Sequence, residues 1–254
     1  MTNPLFLQLI TGVLIGLGAG YLGSFMVLKR MSLVGDVISH VALPGIAIAL
    51  MFEVDPFFGA FAALFLAILG IWFLERKTEI PSETLVGIFF ALSLALGILI
   101  TPEPELLEAL FGDISKIALM DVLITAVLTA VMFIIIAKIY RGLALSVISK
   151  ELAQSMKINT SLTSFLFLLL VAIIVALGLK IAGAFLMGAL VLVPAAAAKN
   201  ISINLKHYTV LSGLFGAISG LGGILIATHL NLHPGPIVVL TSGAIFLVTL
   251  LFKK

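Results

Sequence analysis

LFLQLITGVLIGLGAGYLGSFMV, residues 5–27, carries no charged side chain and runs directly into Leu28-Lys29-Arg30. At 1.5 Å per residue, an apolar run of about 20 residues matches a hydrocarbon core about 30 Å thick, so the stretch reads as a membrane-crossing helix. Runs of the same kind recur at about 32–52, 57–74, 84–101, 122–139, 163–179, 182–198, 209–228 and 236–252. Hydrocarbon offers the backbone no hydrogen-bond partner, so such runs must be helical. The strict apolar–polar alternation of an outer-membrane barrel is absent. The expected fold class is an all-α integral membrane protein, a polytopic bundle of about 8–9 transmembrane helices forming one domain over 1–254.

Composition agrees. The chain is 62% hydrophobic and 10% charged, with a mean hydropathy of +1.31, whereas soluble domains hold about 25% charged residues. With no cysteine, disulfides and thiolate metal sites are excluded. The net charge of +2 gives no reason to expect nucleic acid as a partner.

The distribution of charge predicts the orientation. No basic residue precedes the first run and Lys29-Arg30 follow it, the reverse of a cleavable signal peptide, so its N-terminus is expected outside. Threading nine runs from there places 12 of the 14 basic residues inside, leaving only Lys116 and Lys180 outside, and puts the C-terminus inside. Glu53, Asp55, Glu103, Glu105, Glu108, Asp113 and Asp121 fall outside. This is the bias cytoplasmic loops normally show. The region 163–198 has only Lys180 and glycines at its middle, which leaves room for a broken or re-entrant piece. Within the acidic outer loop 101–121, residues 106–111 suggest a short surface helix. The inner segment of about 141–161 is the longest on its side, with Leu152, Met156 and Lys157 at helical spacing.

Chemistry concentrates in the second run, MSLVGDVISHVALPGIAIAL, residues 31–50. Asp36 and His40 are four apart, so they share a helical face. His40 lies about 12 Å along the helix from Ser32, deep in the apolar zone. An ionisable group at that depth is costly and marks a functional site by default. Carboxylate oxygen with imidazole nitrogen suits zinc or manganese; an Asp36–His40 pair and a proton relay through Asp36 are the competing readings. Pro44 has no N–H for the carbonyl four residues earlier, which is that of His40, so the helix should bend there. His229 and His233, also four apart, stand near the outer Pro-Gly turn, as a metal entry point or as ordinary exposed histidines. Glu83 reads as a first-turn charge favoured by the helix dipole. Gly12, Gly16, Gly20 and Ser24, with Gly216 and Gly220, form faces on which helices can approach closely. There is no phosphate-binding loop, so the chain does not hydrolyse ATP itself, and no HExxH motif or second deep acid for an intramembrane protease.

Residues 23–50, GSFMVLKRMSLVGDVISHVALPGIAIAL, resemble the signature of the permeases of ABC importers for zinc, manganese and related metals. SETLVGI (82–88), EALFGDI (108–114), VISKELAQSMKI (147–158), IAGAFLMGALVLVPAAAAKN (181–200) and PGPIVVL (234–240) extend the resemblance over nearly the whole chain. It implies a homodimer in the cell (inner) membrane, in contact with lipid, joined by cytoplasmic ATP-binding subunits and an extracytoplasmic metal-binding protein. It also implies that Asp36 and His40 belong to the metal pathway, that 147–158 couples to the ATPase, and that no cofactor is held permanently. Zinc is the slightly favoured cargo over manganese or ferrous iron. One departure stands out: many members resemble DxPxGP near the outer turn, where this chain reads NLHPGP with Asn231 in the acid's place. The alternative function is a proton-coupled secondary metal carrier working without an ATPase.

Overall fold

The computed structural model describes residues 4–31, 34–78, 80–100, 112, 114 and 117–253; the side chains of 34, 36, 82, 150, 180–182 and 184–186 lie outside that description. The described residues form ten helices and no strand: α1 (Pro4–Leu28), α2 (Val34–Val41), α3 (Leu43–Met51), α4 (Pro56–Lys77), α5 (Ser82–Ile100), α6 (Leu119–Ile148), α7 (Lys150–Ser155), α8 (Thr160–Ile201), α9 (Leu205–Leu230) and α10 (Pro234–Leu250). Six helical segments among them are long and apolar enough to cross a membrane. Three shorter apolar helices, Val37–Met51, Met187–Ile201 and Pro234–Leu250, accompany them. The short helix expected at 106–111 lies outside the described residues.

α1, α8, α9 and α10 pack together, with α6 against α1 and α8. The glycine stripes explain the α1–α9 contact. A Cβ on Gly16 would strike the carbonyl of Gly216, and one on Gly220 would strike the carbonyl of Gly12. The pairs 12/220, 16/216 and 20/212 run in opposite directions, so the helices are antiparallel. Between lipid-soluble helices there is no hydrophobic drive to associate, and close backbone approach supplies the dispersion contact instead. The hydroxyl of Ser212 adds a hydrogen bond to the carbonyl of Gly20. α3 and α4 repeat the device, Gly45 against Gly59.

The 42 residues of α8 are not one rod. Gly183 has φ 67° and ψ 173°, a conformation essentially confined to glycine. In a straight helix Gly178 and Met187 would be about 13.5 Å apart, yet a Cβ on Gly178 would collide with the Met187 sulfur. The chain therefore folds back near Gly183. Val191 then packs beside Gly23, nearer the Lys29 end of α1. The two halves run antiparallel; Thr160–Leu179 is long and apolar enough to cross a membrane, and Met187–Ile201 is a shorter apolar helix.

Charge sorts to two ends. Lys29, Arg30, Glu75, Glu83, Ser146 and Thr160 line a cavity of about 460 Å³ at one end. Thr11, Asp55, Asp121 and Leu177 meet at the other. At the first end Lys29 lies 5.4 Å from the Phe167 ring centroid and Arg76 4.9 Å from that of Trp72, while the Trp72 indole N–H donates to Ser161 at 3.0 Å. Aromatic rings with cations are the composition of a membrane–water boundary.

The inner segment differs from its reading in one respect. α6 continues to Ile148, well past residue 139, because Lys138 and Arg141 interrupt the apolar run without breaking the helix. α7 then starts on Ser149, whose hydroxyl accepts the Leu152 N–H at 3.0 Å. It stops at Ser155: Lys157 has φ 59° and is not helical.

Candidate metal site

The site region is built on two consecutive short helices. α2 ends at Val41 and α3 begins at Leu43, with Pro44 in its first turn. The Ala42 N–H reaches back only three residues, to the Ser39 carbonyl at 3.4 Å, and the ladder resumes with Ile46 N–H on Ala42 oxygen at 3.0 Å. The break falls where Pro44 withdraws an N–H from the carbonyl of His40.

The register of α2 separates two faces. Gly35, Ile38, Ser39 and Val41 are buried, and a Cβ on Gly35 would touch Val191 of the returning half of α8. Positions 36 and 40, one turn apart, fall on the opposite face. Asp36 is helical; its side chain is outside the description. His40 is half-buried, and its imidazole stands edge to face with Phe90 of α5, centroids 5.5 Å apart at 68°. Leu43 packs on Gly97 of the same helix. Sequence reading did not find Phe90, since nothing in one helix's spacing reveals which ring a neighbouring helix presents.

Among the described residues searched, no three His, Cys, Asp or Glu side chains come close enough to hold a metal ion together. Positions 36 and 40 share one face of the short helix α2.

His229 lies in the last turn of α9 and His233 caps α10; both are exposed. Asn231 between them ends α9 in the left-handed conformation, φ 53° and ψ 44°, its N–H returning to the Ala227 and Thr228 carbonyls. Asn is among the residues that tolerate this conformation, which gives the departure at 231 a structural role. Glu83 sits in the first turn of α5, as expected of a charge favoured by the helix dipole.

The comparisons bear on the whole chain. The ABC 3 transport family model matches residues 1–253. The chain is 33% identical to the manganese transport system membrane protein MntC of Listeria monocytogenes, over 97% of this chain and 90% of that one. It is 30% identical to the high-affinity zinc uptake system membrane protein ZnuB of Haemophilus influenzae, over 100% and 99% of the two. The solved structure of PsaBC from Streptococcus pneumoniae in complex with Fab superposes with a TM-score of 0.86 at 31% identity, covering 98% of this chain and 91% of that one. An all-helical bundle with membrane-length helices and a family model that matches residues 1–253 converge: the chain belongs to the ABC 3 transport family.

Proposed function

We propose that the chain is the permease subunit of an ATP-driven importer that carries a divalent transition-metal ion into the cytoplasm. The observation that supports this most is the position of His40, half-buried on a helix broken immediately after it, with Asp36 one turn away and α5 alongside. The carboxylate offsets part of the ion's dehydration and the imidazole adds a nitrogen donor. Two donors per chain favour a pathway between two copies, where a homodimer supplies two carboxylates and two imidazoles. α5 fits such an arrangement: only 17% of its membrane window is buried within one chain. Such a site holds the ion moderately, as transport requires, because tight binding would block release.

The proposed topology has nine crossings, with Pro4 outside and Phe252 inside in the cell membrane. The fold-back at Gly183 supports the count, and the basic residues gathered at the Lys29 end support the orientation. α7 and the flanking turns would meet a cytoplasmic ATPase, and an extracytoplasmic protein would deliver metal at the Asp55 end. Manganese systems predominate among the relatives and one is a zinc system; Asp and His serve both ions. We place manganese first and zinc second, which reverses the order the sequence suggested.

The test is uptake into liposomes by this chain with its ATPase and binding protein, for manganese and zinc in turn. ATP-dependent accumulation of one of these ions, lost in Asp36→Asn, is the expected result. Proton-driven uptake by the chain alone would overturn the importer in favour of a secondary carrier.

A further inference from the structure

His229 and His233 flank the turn that joins α9 to α10, and the backbone fixes that turn on both sides. The pairing of Gly12 with Gly220 carries the end of α9 to the Pro4 end of α1, away from Lys29. There the Leu232 N–H donates to the Ala227 carbonyl at 2.9 Å and the Asn231 N–H to that of Thr228 at 3.5 Å. These are the paired bonds of a Schellman closure, and Asn231, with φ 53°, is its left-handed residue. Beyond it His233 caps α10, and Pro234 restricts the backbone at the start of that helix.

Neither imidazole is used to build the turn. The bonds that close it run between main-chain groups, and His233 makes no side-chain bond to the start of α10. Both histidines are exposed. Four residues of extended chain span at most about 14 Å, and the turn shortens that distance. An imidazole side chain and a zinc–nitrogen bond of about 2.1 Å together cover half of what remains, so one ion can take a nitrogen from each ring.

We infer that His229 and His233 together bind one divalent ion of the zinc class at the α9–α10 turn, apart from the Asp36–His40 pair. The donors set the class. Imidazole nitrogen suits zinc, copper and nickel, whereas manganese favours oxygen donors and stands lowest in the affinity order. No third His, Cys, Asp or Glu joins them among the described residues searched, so water completes the ion's shell. In the import reading above, on which this role rests, the turn faces the side from which metal arrives and receives zinc before it enters the helices.

The experiment uses the full chain in detergent, labelled with 15N-histidine and titrated with zinc. The chain has four histidines, His40, His207, His229 and His233, so each imidazole can be followed by NMR. The signals of His229 and His233 should move together and saturate at one ion per chain, in the parent and in Asp36→Asn alike. His229→Gln and His233→Gln replace exposed rings that hold no part of the fold. Each should weaken zinc binding at the turn by on the order of tenfold, since even a ligand's outer partner is worth that much. The double variant should raise KM for zinc uptake by a similar factor. Movement of one signal without the other, movement lost in Asp36→Asn, or chains linked into dimers by zinc would overturn the site. An unchanged KM would overturn its role in uptake. Failure of the import reading looks different: the parent takes up no zinc with ATP, while both signals still move and the site stands.

Discussion

The imidazole of His40 rests edge to face on the ring of Phe90, 5.5 Å between centroids, and this contact ties α2 to α5. Phe90 limits the rotamers open to His40 without offering any donor to a cation. Phe90→Ala should therefore leave the chain folded while the imidazole loses its fixed aim. In transport assays KM for the metal should rise by about tenfold, the usual scale for removing a group that orients a ligand. An unchanged KM would show that α5 does not orient the site.

The α1–α9 contact makes a sharper structural prediction. Gly16→Val forces a branched side chain into the Gly216 backbone, and overpacking of this kind costs about 1–3 kcal/mol. Gly243 in α10 has nothing within 4 Å of its missing Cβ, so Gly243→Val should be near neutral. Thermal unfolding in detergent separates the two; equal effects would contradict the packing described for α1.

Much of this fold was legible because membrane spans announce themselves by length. Hydrocarbon forces each apolar run into a helix, and the break before Pro44 follows from one missing N–H. The stripe Gly12, Gly16, Gly20 also named its own purpose, since only a backbone neighbour needs that much space. Other features depend on contacts between distant residues. The fold-back at Gly183 was only a softness in the pattern, because a glycine flanked by apolar residues reads alike in a span and in a turn. The run 122–139 marked a membrane span and did not show that α6 continues to Ile148, because Lys138 marks a change of solvent, not of backbone. At the site, Asp36 and His40 stood out as polar groups in an apolar run; Phe90 did not, as it is an ordinary apolar residue until the helices meet.

The surface around α7 is open to test. Leu152 and Met156 are exposed, 42% and 44%, while Ala153 is buried and anchors the short helix. If α7 docks on an ATPase, Leu152→Glu/Met156→Glu should abolish transport-coupled ATP hydrolysis and leave the permease folded. Stimulated hydrolysis and uptake that both persist would leave α7 a simple connector.

Orientation can be read by labelling. Leu232→Cys, in the exposed turn between α9 and α10, should react with a membrane-impermeant thiol reagent added to whole cells, and Gln154→Cys on α7 should react only after the cells are opened. The reverse pattern would invert the proposed topology.

The claim that Asp36 and His40 carry the metal is tested most directly by replacing both with apolar residues and measuring uptake by the folded protein. A structural ion pair predicts that single variants lose stability and that Asp36→Leu/His40→Leu regains it together with transport, since a buried pair is often replaced by apolar residues without loss. A metal site predicts a different outcome. The double variant should insert and assemble as well as the parent, relieved of two ionisable groups in hydrocarbon, and should take up no metal. Metal uptake at the parent rate by a well-folded Asp36→Leu/His40→Leu protein would contradict the account.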